Sequence, residues 1–206
     1  MQGTIDASLA ALNDGIGFNI AGGTHHAFTD RGEGFCFLND MAIAANYLLK
    51  AKLVEKILIV DLDVHQGNGT AQIFENVSQV FTFSMHGKKN YPLRKEQSDL
   101  DIELDDFTDD KTYLHLLEIH LNEIILQIKP NFIFYQAGVD VLADDKLGRL
   151  SLTIDGCKAR DLIVLDVCKR NNIPLTVTMG GGYAPNINTI VNAHSNTFRI
   201  ANDLYF

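Results

Sequence analysis

The sequence predicts an α/β protein built on an open, mostly parallel sheet with helices on both faces. Three observations carry that expectation. Short β-branched runs recur along the chain, longer segments with apolar residues at three- and four-residue spacing separate them, and the two signals alternate. Each strand is then covered by the helix that follows it, and ligands bind beyond the carboxyl ends of the strands.

Taken in order, Met1 to Asn13 reads as a helix entering the fold, and Ile16 to Ile20 is a short apolar run. Leu38 to Lys52 has helical spacing, and Lys56 to Asp61 (KILIVD) and Gln79 to Ser84 (QVFTFS) read as buried strands. Asp99 to Asp110 is acidic, but Ile102 and Leu104 alternate as in an edge strand, so it is a solvated edge and turn. Tyr113 to Ile128 places Leu114, Leu117, Leu121, Ile124 and Ile128 on one helical stripe. Asn131 to Gln136 (NFIFYQ) and Pro174 to Thr178 (PLTVT) are further strands, with a helix at Ile154 to Arg170 between them.

With 206 residues, 46% of them hydrophobic, and no repeat, low-complexity tract or linker, residues 1–206 are expected to form one domain. A formal charge of -9 argues against direct nucleic-acid binding and suits a cationic partner instead. Lys88, Lys89, Arg94 and Lys95 are the one basic cluster, read as a solvated loop. Cys36, Cys157 and Cys168 form neither an even set nor a CxxC pair, which fits a reducing cytoplasm. No apolar run reaches membrane-spanning length, and Met1 to Asp6 lack the blocks of a signal peptide.

Chemistry concentrates where strands end. Lys56 to Asp61 runs into Asp61-Leu62-Asp63-Val64-His65-Gln66-Gly67-Asn68-Gly69, where extended alternation would point Asp61, Asp63 and His65 to one side. The strand ending at Gln136 delivers Asp140 through Ala137-Gly138-Val139. Two carboxylates and an imidazole leave a fourth position open, as in a catalytic zinc site. Taken singly, each acid could equally be a turn or cap residue.

Two glycine-rich clusters accompany these ligands. Gly22-Gly23-Thr24-His25-His26 offers a histidine pair suited to acid and base work, with Asp61 a natural carboxylate partner, or else an ordinary polar loop. Gly180-Gly181-Gly182-Tyr183 could aim a phenol at a developing oxyanion, or simply turn the chain.

In this order, the motifs GGTHH, GFCFLND (Gly34 to Asp40), DLDVHQGNG, AGVD and GGGY resemble the zinc-dependent histone deacetylase superfamily, with its arginase/deacetylase fold. DRGEGFC, DLDVHQGNG and LGRLSLT are similar to the class IV branch and its bacterial relatives. The resemblance implies zinc on Asp63, His65 and Asp140, with iron(II) able to take the same ligands. It implies that Tyr183 polarises the acyl carbonyl, that His26 transfers the proton, and that His25 with Asp61 acts electrostatically. Gly34, Phe35 and Tyr91 match the acyl-lysine tunnel and Leu147 its rim, with a plain core role as the other reading of Phe35, Tyr91 and Leu147. Asp61, Asp63, His65 and Ser84 match a monovalent cation site, which implies potassium.

Asn68 stands where class I members carry an aspartate against the second histidine; an amide can orient His26 but does not balance its imidazolium charge. The family domain extends further at the front, so this chain is expected to lack the first strand region. An edge left open there makes an oligomer an option. The expected activity is hydrolysis of acyl-lysine in a protein, a peptide or a small acylated amine. The competing readings are a metal-stabilised module that grips acyl-lysine without turnover, and an arginase-like ureohydrolase. The latter is disfavoured because Gly67 occupies the position where a second metal needs a carboxylate. His115, His120 and His194 are read as surface or capping residues, and His86 is given no role.

Overall fold

A computed structural model describes residues 1–206. The elements are α1 (Gln2–Asp14), β1 (Ile16–Asn19), α2 (Asp40–Lys50), β2 (Ile57–Asp61), α3 (Asn68–Phe74), β3 (Val80–Gly87), β4 (Leu100–Leu104), α4 (Asp110–Ile128), β5 (Phe132–Gln136), α5 (Ile154–Arg170), β6 (Leu175–Thr178) and α6 (Ile187–Tyr205). The six strands form one open sheet in the order β1-β6-β5-β2-β3-β4. Every pairing is parallel, so the expected mostly parallel sheet is entirely so.

Period-two alternation explains how one sheet carries helices on both faces. In β2, Leu58 and Val60 enter the core with α4, α5 and α6, whereas Ile57 and Ile59 enter the core with α1 and α2. In β5, Ile133 and Tyr135 join the first core and Phe132 and Phe134 the second. A strand buried on both faces has no polar positions to spare, hence its continuous apolar sequence. Asn39, Asp109 and Thr153 cap α2, α4 and α5 by accepting from the amides of Ala42, Thr112 and Gly156. Each such cap is worth about 1 kcal/mol.

The register brings the functional segments to one rim. Asn19, Thr178, Gln136, Asp61 and Ser84 lie opposite one another as β1, β6, β5, β2 and β3 are crossed. The segments GGTHH, GGGY, AGVD and DVHQG therefore leave the sheet at the same edge. The chain moves outward from β2 to β3 and β4, then returns to β5 and proceeds to β6 on the other side. The switch point lies between β2 and β5, where α/β sheets open a crevice.

Two elements go beyond the expected boundaries, since β3 continues through Met85 and His86 to Gly87 and α3 forms directly after the DVHQG segment. β4 is the edge strand that the alternation of Ile102 and Leu104 predicts. No helix is long and apolar enough to cross a membrane.

Candidate metal centre and active-site cavity

Beyond β2 the chain bends rather than continuing extended. Asp61 Oδ1 accepts from the Asp63 amide at 3.2 Å, and Asp63 Oδ1 accepts from the His65 amide at 3.0 Å. Each aspartate thus closes a turn on the residue two positions ahead. This corrects the expected alternation. Bending, not strand geometry, brings His65 Nδ1 to 3.0 Å from Asp63 Oδ1. Asp140 arrives from the neighbouring β5 loop, with Oδ1 accepting from the Val64 amide at 2.9 Å and Oδ2 3.1 Å from His65 Nδ1.

Asp63, His65 and Asp140 are all buried, and one ligand atom from each lies within 4.8 Å of the others. Burying two carboxylates against one imidazole nitrogen is costly unless a cation is shared among them. The donor set of two oxygens and a nitrogen suits zinc or iron(II). The cradle is made by glycines. A Cβ at Gly138 would strike the Asp63 carboxylate, and one at Gly181 would strike that of Asp140. Gly181 also donates its amide to Asp63 Oδ2 at 2.9 Å, and Val139 donates to the Gly181 carbonyl at 2.7 Å, locking the two loops side by side. The residues present fit a divalent metal.

The histidine pair divides its partners. His25 Nδ1 lies 2.6 Å from Asp61 Oδ2, and its Nε2 lies 3.9 Å from Asp63 Oδ1. Burial disfavours its charged form, but Asp61 and Asp63 outweigh burial and raise its pKa to about 9. His26 Nδ1 lies 2.7 Å from Asn68 Oδ1. Burial, then the neighbouring His25 charge, lower its pKa to about 3, because Asn68 brings no full charge in return. The ring centroids are 4.1 Å apart, yet both imidazoles line one cavity.

That cavity, of about 750 Å³, is also lined by Asp63, His65, Asp140, Gly34, Phe35, Tyr91, Leu147 and Tyr183. Phe35 and Leu147 are exposed, so neither is a core residue. Phe35 sits at φ +65° beside Gly34 at φ +51°, and a Cβ on Gly34 would run into the His26 ring. The Tyr91 ring meets His26 edge-on at 5.0 Å. Burial, then Asp63 and Asp140, push the Tyr183 phenol up to about 12, which keeps it protonated as a donor. Asp61, Ser84 and Asn68 stand behind this wall, with Ser84 Oγ 2.9 Å from His86 Nδ1.

Several expectations change. The loop carrying Lys88, Lys89, Arg94 and Lys95 is not merely solvated, because Lys95 Nζ donates to the carbonyls of Asn90 and Pro92 at 2.7 and 2.6 Å. Lys89, Lys146 and Arg149 line the cavity, and Lys89 and Arg149 both pair with Asp106, at 3.4 and 2.8 Å. His194 is half-buried with no partner for Nδ1, not a surface residue, and burial lowers its pKa to about 4. Two residues escaped the sequence. Glu33 meets Asn68 and Tyr91, and Arg160 is fully buried behind both ligand loops. A signal for Arg160 existed, since it sits on the apolar stripe of α5 with Cys157, Val164 and Cys168.

A sequence profile of the histone deacetylase domain matches residues 1–198. The chain belongs to the histone deacetylase family. An uncharacterised protein of Picosynechococcus sp. is 48% identical over 98% of this chain and 68% of its own length. Histone deacetylase 2 of Arabidopsis thaliana is 33% identical over 88% of this chain and 48% of its own. The crystal structure of the HDA15 HD domain superposes with a TM-score of 0.80 at 26% identity, covering 96% of this chain and 60% of that one. This member of the histone deacetylase family therefore spans about half the length of the Arabidopsis deacetylase it matches.

Proposed function

We propose that the chain hydrolyses the amide bond of acyl-lysine, releasing a carboxylate and the free amine. The observation that carries this reading is the convergence of Asp63, His65 and Asp140 in a cavity shared with His25, His26 and Tyr183. Asp63, His65 and Asp140 would hold zinc, or iron(II), which when bound supplies Lewis acidity toward the acyl carbonyl. Phe35 and Tyr91 flank the lysine stem, Gly34 leaves room beside His26, and Leu147 sits at the mouth. The Tyr183 hydroxyl donates to the carbonyl oxygen as it gains charge.

His26 Nε2 takes the proton from the attacking water. The new C–O bond forms, the C–N bond breaks, and the same proton passes to the departing amine. His25, held by Asp61, keeps a positive field beside the reacting carbonyl. Asp61 and Ser84, register partners on β2 and β3, with Asp63 and the His65 carbonyl, would bind potassium behind the site. The substrate is an acylated protein, peptide or small amine, and the setting is the cytoplasm.

A ureohydrolase reading finds no support, since a Cβ at Gly67 would collide with Asp61 and a second carboxylate ligand has no room there. The test is release of amine from acetyl- and long-acyl-lysine peptides by the zinc-loaded chain, alongside Tyr183→Phe and His26→Ala. Each substitution is expected to cost about 100-fold or more in kcat. Equal turnover by all three proteins contradicts the proposal.

A further inference from the structure

Glu33 lies outside the set of residues assigned above, yet it contacts two of them. It arises from a tight turn in which Glu33 and Cys36 exchange backbone hydrogen bonds of 2.9 and 2.8 Å. Gly34 and Phe35, both at positive φ, form the two-residue tip. Glu33 Oε1 accepts from the Tyr91 hydroxyl at 2.6 Å and from Asn68 Nδ2 at 2.8 Å. The Tyr91 bond holds the carboxyl below its usual range, so it is ionised at neutral pH.

An ionised carboxylate only accepts hydrogen bonds. The Asn68 amide must therefore turn its NH2 toward Glu33, which leaves its oxygen 2.7 Å from His26 Nδ1. An amide oxygen also only accepts. The proton of a neutral His26 must then sit on Nδ1, and Nε2 carries the lone pair.

We propose that Glu33 fixes the tautomer of His26 through Asn68, a positioning role that rests on His26 being the proton-transferring group of the hydrolase proposed above. Without the carboxylate, the amide can turn over and present its NH2 to Nδ1. The proton then moves to Nε2, and that atom no longer accepts one from water. His25 receives a carboxylate directly from Asp61, whereas His26 receives one relayed through an amide. The same Glu33 oxygen holds Tyr91, so one carboxylate steadies both the base and a tunnel wall.

The test compares Glu33→Gln in two backgrounds of the full zinc-loaded chain. In the wild-type background kcat is expected to fall about tenfold, the scale of an outer partner that orients a reacting imidazole, with KM unchanged. Asn68→Asp places a carboxylate directly on His26 Nδ1, and there Glu33→Gln is expected to cost less than about twofold. Equal losses in both backgrounds, or a loss carried by KM alone, overturn the proposal and leave Glu33 a loop anchor.

A second measurement does not need turnover. Long-range ¹⁵N–¹H correlation on the imidazoles should find His26 protonated at Nδ1 in wild type and a tautomer mixture in Glu33→Gln. An unchanged tautomer overturns the proposal even in an active enzyme. A tautomer change in a chain that cleaves no acyl-lysine supports the relay and contradicts the hydrolase reading.

Discussion

Arg160 Nη1 donates a 2.6 Å hydrogen bond to the Gly138 carbonyl and reaches the Leu62 carbonyl at 3.3 Å. Gly138 lies two residues before Asp140, and Leu62 immediately precedes Asp63. One guanidinium, itself paired with Asp161 at 2.8 Å, thereby ties together the two loops that carry the candidate ligands. Both charges are fully buried, so removing one leaves the other uncompensated.

Arg160→Met is accordingly expected to destabilise the chain by about 3–5 kcal/mol, the cost of breaking a buried ion pair from one side. Urea denaturation measures it, and a loss below about 1 kcal/mol, the range of an exposed pair, would contradict the assignment.

Gly181→Ala bears on the candidate metal cradle without replacing any of the three candidate ligands. The added Cβ meets the Asp140 carboxylate and lies 3.0 Å from Asp63 Oδ2. Zinc affinity, measured by competition with a chelating dye, is expected to fall about 10- to 100-fold. Wild-type affinity in this variant would mean that the three residues do not hold the ion as a unit.

Acid should weaken the fold through His194. Its pKa is lowered from 6.5 to about 4 by burial first and by Arg160 second. Between those values the unfolded chain binds more protons than the folded one, so stability falls as pH decreases. This contribution is intact above about 6.5 and is lost progressively toward 4. Urea midpoints at pH 7.5 and 5 should differ less in His194→Gln than in wild type. An identical difference in the two proteins would exclude His194 as a source.

Much of this fold was legible because buried parallel strands leave continuous apolar runs and their polar residues cluster at the ends. Leu58 to Asp61 and Ile133 to Gln136 announce both the sheet and the places where Asp63 and Asp140 must emerge. The bend that joins Asp63 to His65 was not legible, since it depends on side chain to backbone bonds that a pattern of alternation ignores. Glu33 escaped because its meaning lies in contacts with Asn68 and Tyr91, residues distant in sequence. His194 lies in the helical run of α6, and nothing in that pattern says that its ring is half-buried with Nδ1 left unpartnered.

A substitution at Tyr183 distinguishes the proposed catalytic role from a packing role. Tyr183→Phe retains the ring that lies 6.4 Å from Phe35 but removes the donor. The loss is expected in kcat, about 100-fold, with KM nearly unchanged. A rise in KM alone would make the residue a packing contact.

In the proposed reaction one metal ion, held by Asp63, His65 and Asp140, supports hydrolysis of acyl-lysine. Its most direct test is acetate release from an acetyl-lysine peptide as zinc is added to the chelator-stripped chain, with Asp140→Ala measured in parallel. Activity should rise linearly, break at about one equivalent of zinc, and be absent from the variant. A break at two equivalents, or release that is independent of zinc, would contradict it.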